Sequence, residues 1–198
     1  VTATVVIVDS GGANLASLSH ALERLGAHSQ VSDDAAVIAA AARVLVPGVG
    51  SALNAMQRLR ARGLDRLLPT LRQPVLGICL GMQLLFERSE EGDTACLGIL
   101  PGNVERLTPG PGLPVPHMGW NSLTARRDDP LLAGIGADDW FYFVHSYAVR
   151  PNAATLACAS YGTDLAAVVR RENFWGAQFH PERSSDSGAR LLANFLSL

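Results

Sequence analysis

Short apolar runs alternating with helically spaced segments constrain this chain more than any other feature. Thr4–Val8, Val44–Val46 and Val75–Ile78 are rich in β-branched residues and read as buried strands. Between them, Leu15, Leu18, Leu22 and Leu25 recur at helical spacing, and Gly26 stands where a C-cap glycine belongs. His28–Val31 fits a short strand, and Asp33–Ala42 is Ala-rich and helical. Helical spacing resumes at Ala52, Pro74 marks the end of that region, and Gly81–Glu87 reads as the next helix. Strands alternating with helices imply parallel βαβ units.

The second half differs. Pro109, Pro111, Pro114 and Pro116 lie in one loop before His117-Met118-Gly119-Trp120-Asn121. Trp140–Val144, Thr155–Ser160, Leu165–Arg170 and Trp175–Gln178 read as strands joined by turns, some of them antiparallel. Ser184–Leu198 closes the chain as a helix with Leu191, Leu192, Phe195 and Leu196 on its apolar face. The expected fold class is α/β: one domain over residues 1–198, a sandwich with a mainly parallel, mixed central sheet flanked by helices.

Composition narrows the class. Of 198 residues, 48% are apolar and 17% charged, which places the chain among globular proteins. A net charge of −2 gives no reason to expect nucleic acid or an anionic membrane as partner. All 16 basic residues are Arg. Cys79, Cys96 and Cys158 are an odd set without paired spacing, against a disulfide framework, and no Cys/His cluster suggests a metal. Thr2–Val8 is too short for a signal peptide, and no apolar run reaches membrane-span length. The expected setting is cytoplasmic.

Gly77-Ile78-Cys79-Leu80-Gly81 is the sharpest local signal. It falls where a buried strand meets a helix and has the form of a nucleophile elbow with Cys in the Ser position. The following helix would aim its N-terminus at Cys79 and favour thiolate. The other reading is a structural Cys between two packing glycines. Cys96 and Cys158 lack such a setting and read as packing residues.

A thiolate nucleophile needs a proton carrier and an orienter. His180-Pro181-Glu182 supplies both if the segment is extended, because residues i and i+2 then project to one side. The alternative is a solvent-facing turn. His20 and His28 read as surface residues; His117 and His145, in loops with aromatic neighbours, read as interface or substrate-side groups. Pro47-Gly48-Val49-Gly50 follows a strand and precedes a helix, so its N–H groups could face an oxyanion, with the N–H of Leu80 as second donor. A plain turn remains open; a Walker loop does not, since no Gly-Lys-Ser/Thr follows.

Taken together, strand–PGVG, GICLGMQLL and QFHPERS resemble the class I (triad) glutamine amidotransferases, over Val5 to Phe195. HMGWN at 117–121, YFVHSY at 142–147 and DSGGANL at 9–15 look like the glutaminase subunits of imidazole glycerol phosphate synthase, from histidine biosynthesis. The resemblance implies Cys79 as nucleophile, His180 as acid/base and Glu182 as its orienter, with Gly48, Val49, Gly50 and Leu80 forming the oxyanion hole. It implies that Gln83, Glu91, Ser146 and Tyr147 hold L-glutamine. It implies a TIM-barrel cyclase partner, covering a face that includes Asn14, Met118, Trp120, Asn121, Tyr142 and Arg183. Ammonia passed to that partner would yield imidazole glycerol phosphate and AICAR, with no metal or organic cofactor in this chain. Release of free ammonia would waste glutamine, and the flexible glycines of PGVG suggest a control: one peptide could sit with its carbonyl, not its N–H, facing Cys79 until the partner is bound and its substrate is present. Ser10 stands where the family often has an aromatic residue, and Arg183 where some members have Lys. Rivals are the glutaminase of pyridoxal phosphate synthase, a cysteine peptidase or thiol chaperone, and a non-catalytic binding protein.

Overall fold

Alternate residues of the first strands leave the sheet on opposite faces. Val6, Val8, Val44, Val46 and Val75 join one buried cluster, while Val5, Ile7, Leu45, Leu76 and Ile78 join the other. Each face is covered by helices, so these strands are apolar on both sides. The computed structural model describes residues 5–10 and 15–198. Its first half runs β1 (Val5–Val8), α1 (Leu15–Arg24), β2 (Ser29–Ser32), α2 (Ala35–Ala40), β3 (Arg43–Gly48), α3 (Ala52–Ala61), α4 (Leu64–Leu67), β4 (Val75–Cys79) and α5 (Leu80–Leu84). The second half runs β5 (Arg88–Ser89), β6 (Thr94–Ala95), β7 (Asn103–Arg106), β8 (His117–Ser122), β9 (Thr124–Ala125), β10 (Trp140–His145), β11 (Tyr147–Val149), β12 (Thr155–Tyr161), β13 (Thr163–Arg171), β14 (Phe174–Ala177) and α6 (Ser185–Leu196).

The central sheet has the order β2-β1-β3-β4-β14-β13-β12-β9. β2, β1, β3, β4 and β14 run parallel, and β13, β12 and β9 continue the sheet antiparallel. This is the mixed α/β sheet expected from the alternation of runs. Met56 and Leu59 of α3 pack on one face; Leu18 and Leu22 of α1, with Leu191 and Phe195 of α6, pack on the other. Local caps agree with the sequence. Asp34 accepts from the N–H groups of Ala36 and Val37 at the start of α2, and Gly26 ends α1 at φ +76°.

Trp140–Val144 is a strand, as expected, but it lies outside the central sheet. It pairs antiparallel with His117–Ser122, a strand that begins at a residue expected in a loop, and β8 and β10 form a separate two-stranded ribbon. The short strands β5, β6, β7 and β11 form a further four-stranded sheet that the sequence did not reveal. Two-residue strands have no periodicity to read. The helix after the elbow is also shorter than expected, ending at Leu84.

Candidate active site

The elbow follows from close packing of backbone on backbone. Gly48 of β3 lies opposite Cys79 of β4 in register. A Cβ on Gly81 would fall 1.6 Å from the Val46 carbonyl oxygen, so only glycine lets α5 start against β3. The turn holds Cys79 at φ 54°, ψ −112°, a conformation L residues adopt only under constraint. Its sulfur lies 3.8 Å from the Val144 carbonyl oxygen of β10.

His180 reaches the elbow because β14 pairs in parallel with β4, bringing the end of one strand beside the end of the other. The segment is not extended as expected. Pro181–Arg183 forms a turn of 3₁₀ helix, and that turn brings Glu182 Oε1 to 2.8 Å from His180 Nδ1. The backbone N–H of His180 donates to Tyr142 O, and Ser184 Oγ donates to His180 O, so the turn is tied to β10 and to itself. Burial pushes the imidazole's pKa down, but hydrogen bonds to Cys79 and Glu182, with their charges, outweigh it and raise it to about 10. His180 thus sits between a sulfur and a carboxylate that both favour its protonated form. Glu182 Oε2 is buried without a hydrogen-bond partner among the described residues.

A cleft of about 340 Å³ opens over the sulfur. Gly48, Val49, Gly50, Cys79, Leu80, Gln83, Glu91, Ser146, Tyr147 and His180 all line it, together with Pro116, Val144 and His145. Glu182 stands behind His180, outside the cleft. Glu91 accepts the N–H of Ala52 at 2.7 Å, so its carboxylate caps α3 while facing the cleft. Ser10 is buried and donates its hydroxyl to the Pro47 carbonyl, tying the end of β1 to the PGVG segment. Among the described residues, no three His, Cys, Asp or Glu side chains are grouped to hold a metal ion.

The class I glutamine amidotransferase model matches residues 6–198. The imidazole glycerol phosphate synthase subunit HisH of Xanthomonas euvesicatoria pv. vesicatoria is 54% identical over 194 residues, spanning 98% of this chain and 97% of its own. HisH of Xylella fastidiosa (strain Temecula1) is likewise 54% identical, with the same coverage. The chain belongs to the class I glutamine amidotransferases, within the HisH family. Two solved structures share the fold of this amidotransferase. One is described as a glutamine amidotransferase, at TM-score 0.76 and 23% identity, covering 98% of this chain and 97% of that one. The other is PurLQS from Thermotoga maritima, at TM-score 0.73 and 16% identity, covering 100% of this chain and 99% of that one.

In this amidotransferase the residues expected to meet a partner separate from the cleft. Met118 and Trp120 are 62% and 52% exposed on the outer face of the β8–β10 ribbon, where Tyr142 lies opposite Trp120. The Arg183 guanidinium sits 5.4 Å over the Tyr142 ring, and Asn121 donates to Ser160 O. Asn14 lies outside the described residues. Trp140, 52% exposed on the same ribbon, was not foreseen.

His117 and His145 are strand residues rather than loop residues, and His145 lies on the substrate side, lining the cleft. They face one another on the ribbon's inner side, and both are buried. His117 is stacked between Phe143 and Tyr161. Burial lowers the pKa of His117 to about 4 and, against a bond to Tyr147 O, that of His145 to about 4. Gln178 was also missed. It is buried just beyond the end of β14, two residues before His180, and that spacing was the available signal.

Among the described residues no helix is long and apolar enough to cross a membrane.

Proposed function

We propose that this chain is the glutaminase subunit of imidazole glycerol phosphate synthase. Cys79 attacks the side-chain amide carbon of L-glutamine. Backbone N–H groups of Gly48–Gly50 and Leu80 receive the oxyanion, where preorganised donors act most strongly. His180 gives its proton to the leaving ammonia, leaving a γ-glutamyl thioester; it then takes a proton from water, which releases glutamate. Glu182 keeps the imidazole oriented and favours its charged form. Gln83, Glu91, Ser146 and Tyr147 hold the glutamine, the Glu91 carboxylate suiting its α-ammonium. A TIM-barrel cyclase subunit takes up the ammonia to form imidazole glycerol phosphate and AICAR.

The observation that carries this reading is that Cys79 and His180, the latter hydrogen-bonded to the buried Glu182 behind it, line one cleft together with Gln83 and Glu91. The 54% identity to HisH subunits favours this system over the glutaminase of pyridoxal phosphate synthase. The exposed β8–β10 ribbon beside Arg183 is the surface offered to the cyclase.

The test is glutamate release from glutamine, with and without the cyclase and its nucleotide ligand. Stimulation by the partner that is abolished in Cys79→Ala supports the reading. Full activity of the isolated chain, indifferent to the cyclase, would move it to another amidotransferase system.

A further inference from the structure

Two buried histidines and two buried glutamines outside the proposed triad join one hydrogen-bonded chain that ends at Cys79. Its polarity is set by the one member that cannot be reversed. The Tyr147 carbonyl oxygen is an acceptor only. It lies 2.9 Å from His145 Nδ1 and 2.8 Å from Gln83 Nε2. His145 therefore carries its proton on Nδ1, which leaves Nε2 as an acceptor. His117 Nδ1, 3.0 Å away, donates into it.

The same carbonyl fixes two side-chain amides that shape alone would leave ambiguous. Gln83 must turn its NH₂ group toward Tyr147. The second hydrogen of that group faces Gln178 Oε1 at 3.0 Å. With its oxygen so taken, Gln178 can present only its NH₂ to Cys79, and Nε2 lies 3.9 Å from Sγ. Both hydrogens of Gln83 are used internally, so what it offers a ligand in the cleft is its oxygen.

We propose that Gln178 is a further residue of the active site, whose side-chain N–H stabilises the ionised sulfur of Cys79 and is held in that orientation by Gln83 and the Tyr147 carbonyl. The proposal rests on the reading of Cys79 as nucleophile. An N–H facing sulfur favours thiolate over thiol, and donation to a charged acceptor is stronger than to a neutral one. The Val144 carbonyl, 3.8 Å from the same sulfur, works the other way by accepting a thiol proton. Reversing the Gln178 amide would give up the Gln83 bond and set a second oxygen against the sulfur. His180 is the other polar side chain near the sulfur, with Glu182 behind it; its charge helps to lower the pKa of His145. Gln178 is thus a neutral donor that stays in place whatever the protonation of His180.

The test is the rate at which iodoacetamide alkylates Cys79 across pH, read by mass spectrometry with Cys96 and Cys158 as internal controls. Gln178→Leu, which removes the donor, is expected to slow alkylation of Cys79 by about threefold to tenfold near neutral pH and move its profile alkaline. The near-isosteric Gln178→Glu, which places a carboxylate oxygen at the sulfur, is expected to slow it further. Neither should alter labelling of Cys158. A measurement on the unsubstituted protein covers the case in which either variant fails to fold. The side-chain NH₂ resonances of Gln178 should move as Cys79 ionises and stay still over the same range in Cys79→Ser. A reactive Cys79 whose profile is unchanged in folded Gln178→Leu, or NH₂ resonances blind to its ionisation, overturns the proposal alone. A Cys79 no more reactive than Cys158 in the unsubstituted protein overturns the nucleophile reading, and the proposal with it.

Discussion

At the scale of single residues, the site depends on one glycine and one protonation equilibrium. Gly81→Ala would place a methyl group inside the Val46 carbonyl oxygen, so β3 and the elbow must separate. Overpacking of this kind costs about 1–3 kcal/mol or more, and a thermal melt should show the loss together with reduced alkylation of Cys79. His180 sets a pH dependence. Its pKa is raised from 6.5 to about 10 in the fold. The folded state therefore binds this proton more tightly than the unfolded chain does. The resulting stabilisation is fully present below pH 6.5 and is lost as pH rises through about 10. The melting temperature should fall across that window by about 2–4 °C per kcal/mol lost, for a chain of this length. Glu182→Gln keeps the shape and removes the charge that helps hold the proton, so its profile should be flatter. An equally steep profile in that variant would assign the dependence to another group.

At the scale of elements, α6 and the His180–Glu182 turn are fitted to one another. Gly188 lies inside α6, where replacing Gly with Ala would ordinarily stabilise by about 0.5–1 kcal/mol. Here its Cβ would fall 2.0 Å from the Pro181 carbonyl oxygen. Gly188→Ala is therefore expected to lower the melting temperature and to cut glutaminase activity at least tenfold, by displacing His180 from Cys79. Normal or raised stability with full activity would show that the turn can yield. The elements also show where periodicity stops being informative. β1, β3, β4 and α1 announce themselves through runs and spacing that match their burial. β8 does not, because its large apolar residues, Met118 and Trp120, face outward while the polar His117 is buried. The usual relation between apolar positions and burial is reversed there, so the alternation does not point to a core-facing strand.

At the scale of the whole molecule, the parallel pairing of β14 with β4 decides whether the chain has an active site at all. It joins residues a hundred positions apart, and β10 then closes the cleft by offering Val144 O to the sulfur and Tyr142 O to the backbone of His180. The ribbon that does this also carries Met118, Trp120 and Trp140 outward, so one element touches both the cleft and the surface proposed for the cyclase. Exposed tryptophans at the centre of a docking face commonly contribute about 2 kcal/mol or more. Trp120→Asp should weaken binding to the cyclase by about thirtyfold, measured by titration calorimetry. Unchanged affinity would place the interface elsewhere.

The sequence by itself determined the layered α/β character, the elbow, the family and the residues proposed for the triad. These are properties of local pattern: β-branched runs, glycines where backbone must approach backbone, and short motifs whose members lie within a few positions. What only the tertiary structure decided depends on pairing between distant segments. It made His-Pro-Glu a 3₁₀ turn rather than an extended strand end, put His117 and His145 in a buried neutral pair, and aimed the Gln178 amide at the sulfur. Each of those follows from which hydrogen-bond partners the fold brings together, and a partner fixed by long-range register leaves no mark in the residues around it.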